Sequence, residues 1–142
     1  MGEERLPGWD EYRCFGCSPD NPSGLGLEVH HAGDGTGHGV LRPRPEHEGP
    51  PGHLHGGLAA TALDETMAWI AHETEDEACV TATLSVRYRK PVPLGDGPYR
   101  IEVETLKAGE RRRKMAGRLL LGDGTVAVEA EGVFVKIGTR GS

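Results

Sequence analysis

The sequence predicts an α+β domain in which about six strands pack against one long helix. Three observations lead there. The stretch from Leu58 to Ala71 is apolar or small at nearly every position and contains no Gly or Pro. Two alternating segments precede it. Four more follow it, joined by short glycine-bearing turns, which is the pattern of an antiparallel meander. With 142 residues the chain suffices for one ordinary domain with a real core. We place an N-terminal arm at 1–23 and the domain at 24–138.

Residues 1–13 are polar. Cys14-Phe15-Gly16-Cys17 follows, then a turn through Pro22 and Gly24. A C-x-x-C pair can hold a metal or do redox chemistry. Zinc wants two more ligands, and none follows at finger spacing, so the two thiols are read as small packing groups and no metal is expected. From Gly24 to Ala32, Leu25, Leu27 and Val29 alternate with Gly26, Glu28 and His30, which predicts a strand. Gly33-Asp34-Gly35 turns the chain, and 36–42 returns as a second strand. Residues 43–53 are too rich in proline to be anything but a loop.

The helix comes next and ends near His72. Its apolar residues lie on all sides, which predicts burial around its circumference. Gly56 and Gly57 fall in its first turn, where backbone N–H groups lack intrahelical partners and a substrate can approach closely. Asp64 and Glu65 sit in its middle, pointing about 100° apart. One is expected to face solvent and the other a group that needs a carboxylate. A backbone donor at a helix start and a carboxylate two turns later can polarise a carbonyl and activate a water. The same residues can equally serve only a tight turn and local ion pairs.

Residues 73–77 read as an acidic solvated link. In the strand from Cys79 to Tyr88, Val80, Ala82, Leu84, Val86 and Tyr88 alternate with Thr81, Thr83, Ser85 and Arg87, and Pro91 and Pro93 end it. Tyr99 to Thr105, Arg111 to Leu121 and Thr125 to Ile137 complete the sheet. The net charge of −6 argues against nucleic acid as a partner. No apolar run is long enough to span a membrane, and the N-terminus carries no signal-peptide pattern, so a cytoplasmic protein is expected. Three cysteines do not make a disulfide framework.

Several segments together carry a resemblance over essentially the whole chain. They are Cys14-Phe15-Gly16-Cys17 with Asn21-Pro22-Ser23-Gly24-Leu25-Gly26-Leu27; His47-Glu48-Gly49-Pro50-Pro51-Gly52 with His55-Gly56-Gly57 and Leu63-Asp64-Glu65; and Thr81 through Pro93. The chain resembles the hotdog-fold acyl-CoA thioesterases of the PaaI-like group, within the 4-hydroxybenzoyl-CoA thioesterase superfamily. The resemblance implies a curved antiparallel sheet around one helix, hydrolysis of acyl-CoA without a cofactor, and a homodimer, often paired into a tetramer, with the strand at 79–88 as the dimer edge.

Position by position, the family's acid matches Asp64, which the resemblance implies as general base on water or as nucleophile on the thioester, and its oxyanion donor matches the N–H of Gly56. Its motif histidine matches His55, and a polar residue of the central strand matches Thr81. Gly57, Glu65, His47 and Arg89 are expected to bind substrate. The small neighbours Ala60, Thr61, Met67 and Ala68 leave room beside Asp64, whereas Glu65 would form a surface or interface ion pair, for example with an arginine. Basic residues at 111–114, or Arg87, Arg89 and Lys90, would meet the CoA phosphates. Where some members carry Asn or Gln six residues before the histidine, this chain has Gly49, and Glu48, His47 or His53 would have to stand in. Two other readings share the fold. A hydratase or dehydratase would use His55 with Asp64, although Glu65-Thr66 departs from that motif. A non-catalytic acyl-CoA-binding module would need neither.

Overall fold

A computed structural model describes residues 13–72 and 77–139. The expected N-terminal arm up to residue 12, and residues 73–76 of the acidic link, lie outside them. The elements run β1 (Glu28–His31), β2 (Thr36–Leu41), a 3-10 turn (Pro45–His47), α1 (Gly56–Ala71), β3 (Glu77–Tyr88), β4 (Tyr99–Ala108), β5 (Arg112–Leu120) and β6 (Val126–Thr139). All six strands form one sheet in the order β1-β2-β4-β5-β6-β3, every neighbouring pair antiparallel. The helix touches all six. This is the hotdog architecture that the resemblance implies.

The core lies between α1 and the concave face of the sheet. Leu63 and Met67 pack with Ile101, Met115, Leu119 and Phe134, all fully buried. The helix comes in close because small residues face it. A Cβ on Gly39 would stand 2.7 Å from Thr66 Oγ1, and one on Gly37 would collide with Ile70. Burial on α1 is a single stripe, Ala59, Ala62, Leu63, Thr66, Met67, Ile70 and Ala71, at three- and four-residue spacing. The expectation of burial all round is therefore corrected. The sheet covers one face, and Leu58, Ala60, Ala68 and Trp69 on the other are only partly covered.

Two boundaries also move. The first strand begins at Glu28, not Gly24, because the Leu25 and Leu27 N–H groups bond to the Phe15 and Gly16 carbonyls at 2.7 and 2.9 Å. That bonding ties the Cys14–Ser18 turn to the domain. Glu77, expected in the link, opens β3 opposite Thr139. As a sheet edge, β3 is exposed along most of its length, with Val80, Leu84 and Tyr88 open to solvent. No helix among the described residues is long and apolar enough to cross a membrane.

Candidate active site

The start of α1 is set by three contacts. The His55 N–H donates to the His47 carbonyl at 2.9 Å. The His55 carbonyl accepts from the Leu58 and Ala59 N–H groups. His55 is also the N-cap, its Nδ1 accepting from the Gly57 N–H at 2.9 Å. These bonds occupy every N–H of the first turn except that of Gly56, which has no partner among the described residues. Sequence reasoning puts Gly56 forward as the oxyanion donor and Gly57 as a substrate contact. The structure separates them: Gly57 is held by His55, and Gly56 keeps a free donor.

A cleft of about 320 Å³ opens beside that donor. Ala59, Val92 and Val128 give it an apolar wall, His53 and Tyr88 line it, and Arg89 and Lys90 stand at its rim. The Tyr88 hydroxyl donates to the Gly56 carbonyl at 2.6 Å, a contact that sequence reasoning missed. Arg89 is engaged by Glu129 at 2.7 Å. The basic cluster before and within β5 is partly spoken for: Arg111 reaches the Lys136 carbonyl, Arg113 is buried against Gly109, and Lys114 pairs with Glu131.

Of the three residues offered as stand-ins at position 49, only His53 lines the cleft. The Glu48 carboxylate accepts from the Gly52 N–H at 2.7 Å and closes its own loop. His47 is buried, its Nδ1 accepting from the Arg44 N–H at 3.0 Å. Gly49 itself has no room for a side chain, since a Cβ would lie 2.7 Å from His55 Cα.

Two turns down the helix, Asp64 faces β3. The Thr81 hydroxyl donates to Asp64 Oδ1 at 2.7 Å. A register shift between Thr81 and Thr83 breaks the β3–β6 ladder at this point, and such bulges re-aim side chains. Burial pushes the Asp64 carboxyl above the usual carboxylate range, and the Thr81 hydrogen bond pulls part of the way back. A raised carboxylate that is still able to ionise suits a general base.

Glu65 points elsewhere. Its Oε2 accepts from Trp69 Nε1 at 3.0 Å and lies 3.5 Å from Cys14 Sγ. Burial drives its pKa up to about 7. The Cys17 thiol beside it holds Cys14 well below the usual thiol range, and the same contact drives Cys17 upward. The expectation that one of the two acids faces solvent is corrected, because both have protein partners. No arginine pairs with Glu65 among the described residues.

A family model described as the thioesterase superfamily matches residues 51–128, more than half of the chain. Human acyl-coenzyme A thioesterase THEM5 is 30% identical over 99 residues, covering 69% of this chain and 39% of that protein. The chain spans between a quarter and two fifths of the length of the curated relatives it matches. The Escherichia coli PaaI protein superposes with a TM-score of 0.73 at 15% identity, covering 81% of this chain and 82% of that one. A Streptococcus mutans protein, solved bound to acetyl CoA, superposes with a TM-score of 0.72 at 18% identity, covering 80% and 90%. At these identities the two structures speak for the fold.

Proposed function

The chain belongs to the thioesterase superfamily, and from that premise we propose that it hydrolyses acyl-CoA thioesters to a free acid and CoA, working as a homodimer. Asp64 takes a proton from water as the hydroxide adds to the thioester carbonyl carbon. The Gly56 N–H receives the developing oxyanion, a contribution of about 3–4 kcal/mol for a single well-placed donor. The tetrahedral intermediate then collapses, the C–S bond breaks, and the proton held by Asp64 passes to the departing CoA sulfur. His55 positions this donor by holding Gly57 and the first turn. Thr81 keeps Asp64 aimed and ionisable.

One observation carries the reading. Gly56 and Asp64 lie eight residues apart on one helix, which separates them by about 12 Å at 1.5 Å per residue. One reacting carbon cannot touch both. Each protomer therefore holds two half-sites, and Gly56 of one chain works with Asp64 of the partner subunit. The exposed β3 edge, which carries Thr81, and the half-covered face of α1 beside it supply the surface for that pairing. The apolar wall of the cleft suits an acyl or pantetheine chain, and Lys90 and Arg89 at its rim suit the CoA phosphates.

The test is release of CoA thiol from short, medium, long and aromatic acyl-CoAs by the parent chain and by Asp64→Asn. Turnover is expected to fall at least about 10²-fold in the variant, with acyl-CoA binding retained. Equal turnover by parent and variant would overturn the role of Asp64. Tight acyl-CoA binding with no turnover by the parent would favour a binding module instead.

A further inference from the structure

The proposed hydrolysis uses neither Cys14, Cys17 nor Glu65, yet the fold brings the three together although Glu65 lies 51 residues after Cys14 in sequence. We propose that Cys14, Cys17 and Glu65 form a zinc site that fastens the Cys14–Ser18 turn onto helix α1.

The spacing fits the ion. One sulfur from each cysteine and a carboxylate oxygen all lie within 4.8 Å of one another. Zinc holds sulfur at about 2.3 Å and carboxylate oxygen at about 2.0–2.2 Å, so tetrahedral ligands stand roughly 3.5–3.8 Å apart. Cys14 Sγ and Glu65 Oε2 already stand at 3.5 Å. Two thiolates with one carboxylate favour zinc over the hard cations calcium and magnesium. All three side chains are partly exposed, so a solvent oxygen can complete the tetrahedron.

The surroundings are built for it. The turn is closed by the Ser18 N–H on the Cys14 carbonyl at 3.0 Å and anchored by the Leu25 and Leu27 bonds. Gly16 lies so close to the helix that a Cβ there would stand 2.7 Å from both Glu65 Cγ and Glu65 Oε1. A side chain at residue 16 would displace the Glu65 carboxylate from the cysteines. The Trp69 indole donates to that same Glu65 Oε2 at 3.0 Å and so fixes the carboxylate, as outer-shell donors orient metal ligands. A Cys14–Cys17 disulfide has no use for the carboxylate or its indole donor. Among the described residues no lysine or arginine offsets the charge of Glu65, which a divalent cation does.

The experiment uses the full chain, reduced and stripped of metal, titrated with zinc chloride by calorimetry and with cobalt chloride by absorption. One ion per chain is expected, with a sulfur-to-cobalt charge-transfer band and the intense visible bands of a tetrahedral site. Cys14→Ser, Cys17→Ser and Glu65→Gln should each weaken binding at least tenfold, the last with the charge-transfer band retained. Trp69→Phe should weaken it by about 10–100-fold. Cys79→Ser, outside the cluster, should bind like the parent, and circular dichroism confirms that each variant is folded. The proposal is overturned if the reduced chain takes up no zinc or cobalt, if Glu65→Gln binds like the parent, if Cys79→Ser loses as much as Cys14→Ser, or if Cys14 and Cys17 are found joined in reducing buffer. No acyl-CoA enters this titration, so its outcome is separate from that of the hydrolysis assay.

Discussion

Thr81→Val isolates the contact between the β3 edge and the proposed base. Valine keeps the shape and strand preference of threonine and removes only the hydroxyl that donates to Asp64 Oδ1 at 2.7 Å. A hydrogen bond to a charged group contributes about 1.5–3 kcal/mol. Thr81 is exposed, so water makes good part of the loss, and the low end applies, close to the about 1.4 kcal/mol that corresponds to a tenfold change in ionisation. The sign follows from the two influences on Asp64. Burial raises its pKa and the Thr81 hydrogen bond lowers it. Without the hydroxyl, burial acts alone and the carboxyl rises further, so the base stays protonated over a wider pH range. The assay is kcat/KM for CoA release across pH. Below the acid limb, Thr81→Val should fall about tenfold. The limb should move to higher pH, and the alkaline plateau and KM should change far less. Thr81→Ser should restore the parent profile. Superimposed profiles for parent and valine variant would refute the reasoning. So would an equal loss at every pH, because the hydroxyl would then act otherwise than by holding a charge.

Two further predictions concern the start of the helix. His55→Ala removes the cap on the Gly57 N–H and should lower unfolding free energy in urea by about 1 kcal/mol; an unchanged midpoint would show that the cap does not hold the helix start. Gly49→Ala places a methyl 2.7 Å from His55 Cα, so the first turn must shift. Turnover should drop on the order of 10²-fold, the scale of a misplacement of about 1 Å, while far-ultraviolet circular dichroism stays that of the parent. Parent-like turnover would show that the loop yields without moving the Gly56 donor.

The fold was legible in the sequence because its signals are local. Period-two alternation marked the strands, and the unbroken stretch before His72 marked α1 within two residues of its observed start. The circumference of the helix was misread because composition reports apolarity, whereas coverage depends on how far the sheet curls. The first strand was overextended for a similar reason. Leu25 and Leu27 alternate and are buried, but their amides are satisfied by the Cys14–Ser18 turn rather than by a neighbouring strand. Asp64 could be picked out by its position in the motif, yet its hydroxyl donor depends on a bulge that no pattern announces. Glu65 reads as an ion-pairing acid because, of its two partners, the Trp69 indole gives no charge signal and Cys14 lies 51 residues away in sequence. The spacing of Cys14 and Cys17 could not bring Glu65 beside them, since spacing rules look for ligands nearby. The overlap of Gly49 with His55 is a fact of backbone packing, invisible until the loop is built.

The strand order bears on how the chain is made. β3 follows the helix directly in sequence, yet its only neighbour in the sheet is β6, the last strand, with Thr81 opposite Phe134. During synthesis β3 emerges with no strand to pair with, and it waits for about fifty more residues, a non-local closure of the kind that slows folding. Over that interval the backbone of β3 has no ladder on either side, and unpaired strand edges of this kind are open to wrong pairing. The Thr81 hydroxyl that reaches Asp64 is thus carried on a strand whose sole ladder is to the last strand made. A chain interrupted before that strand lacks the neighbour that holds Thr81 in the sheet opposite the acid.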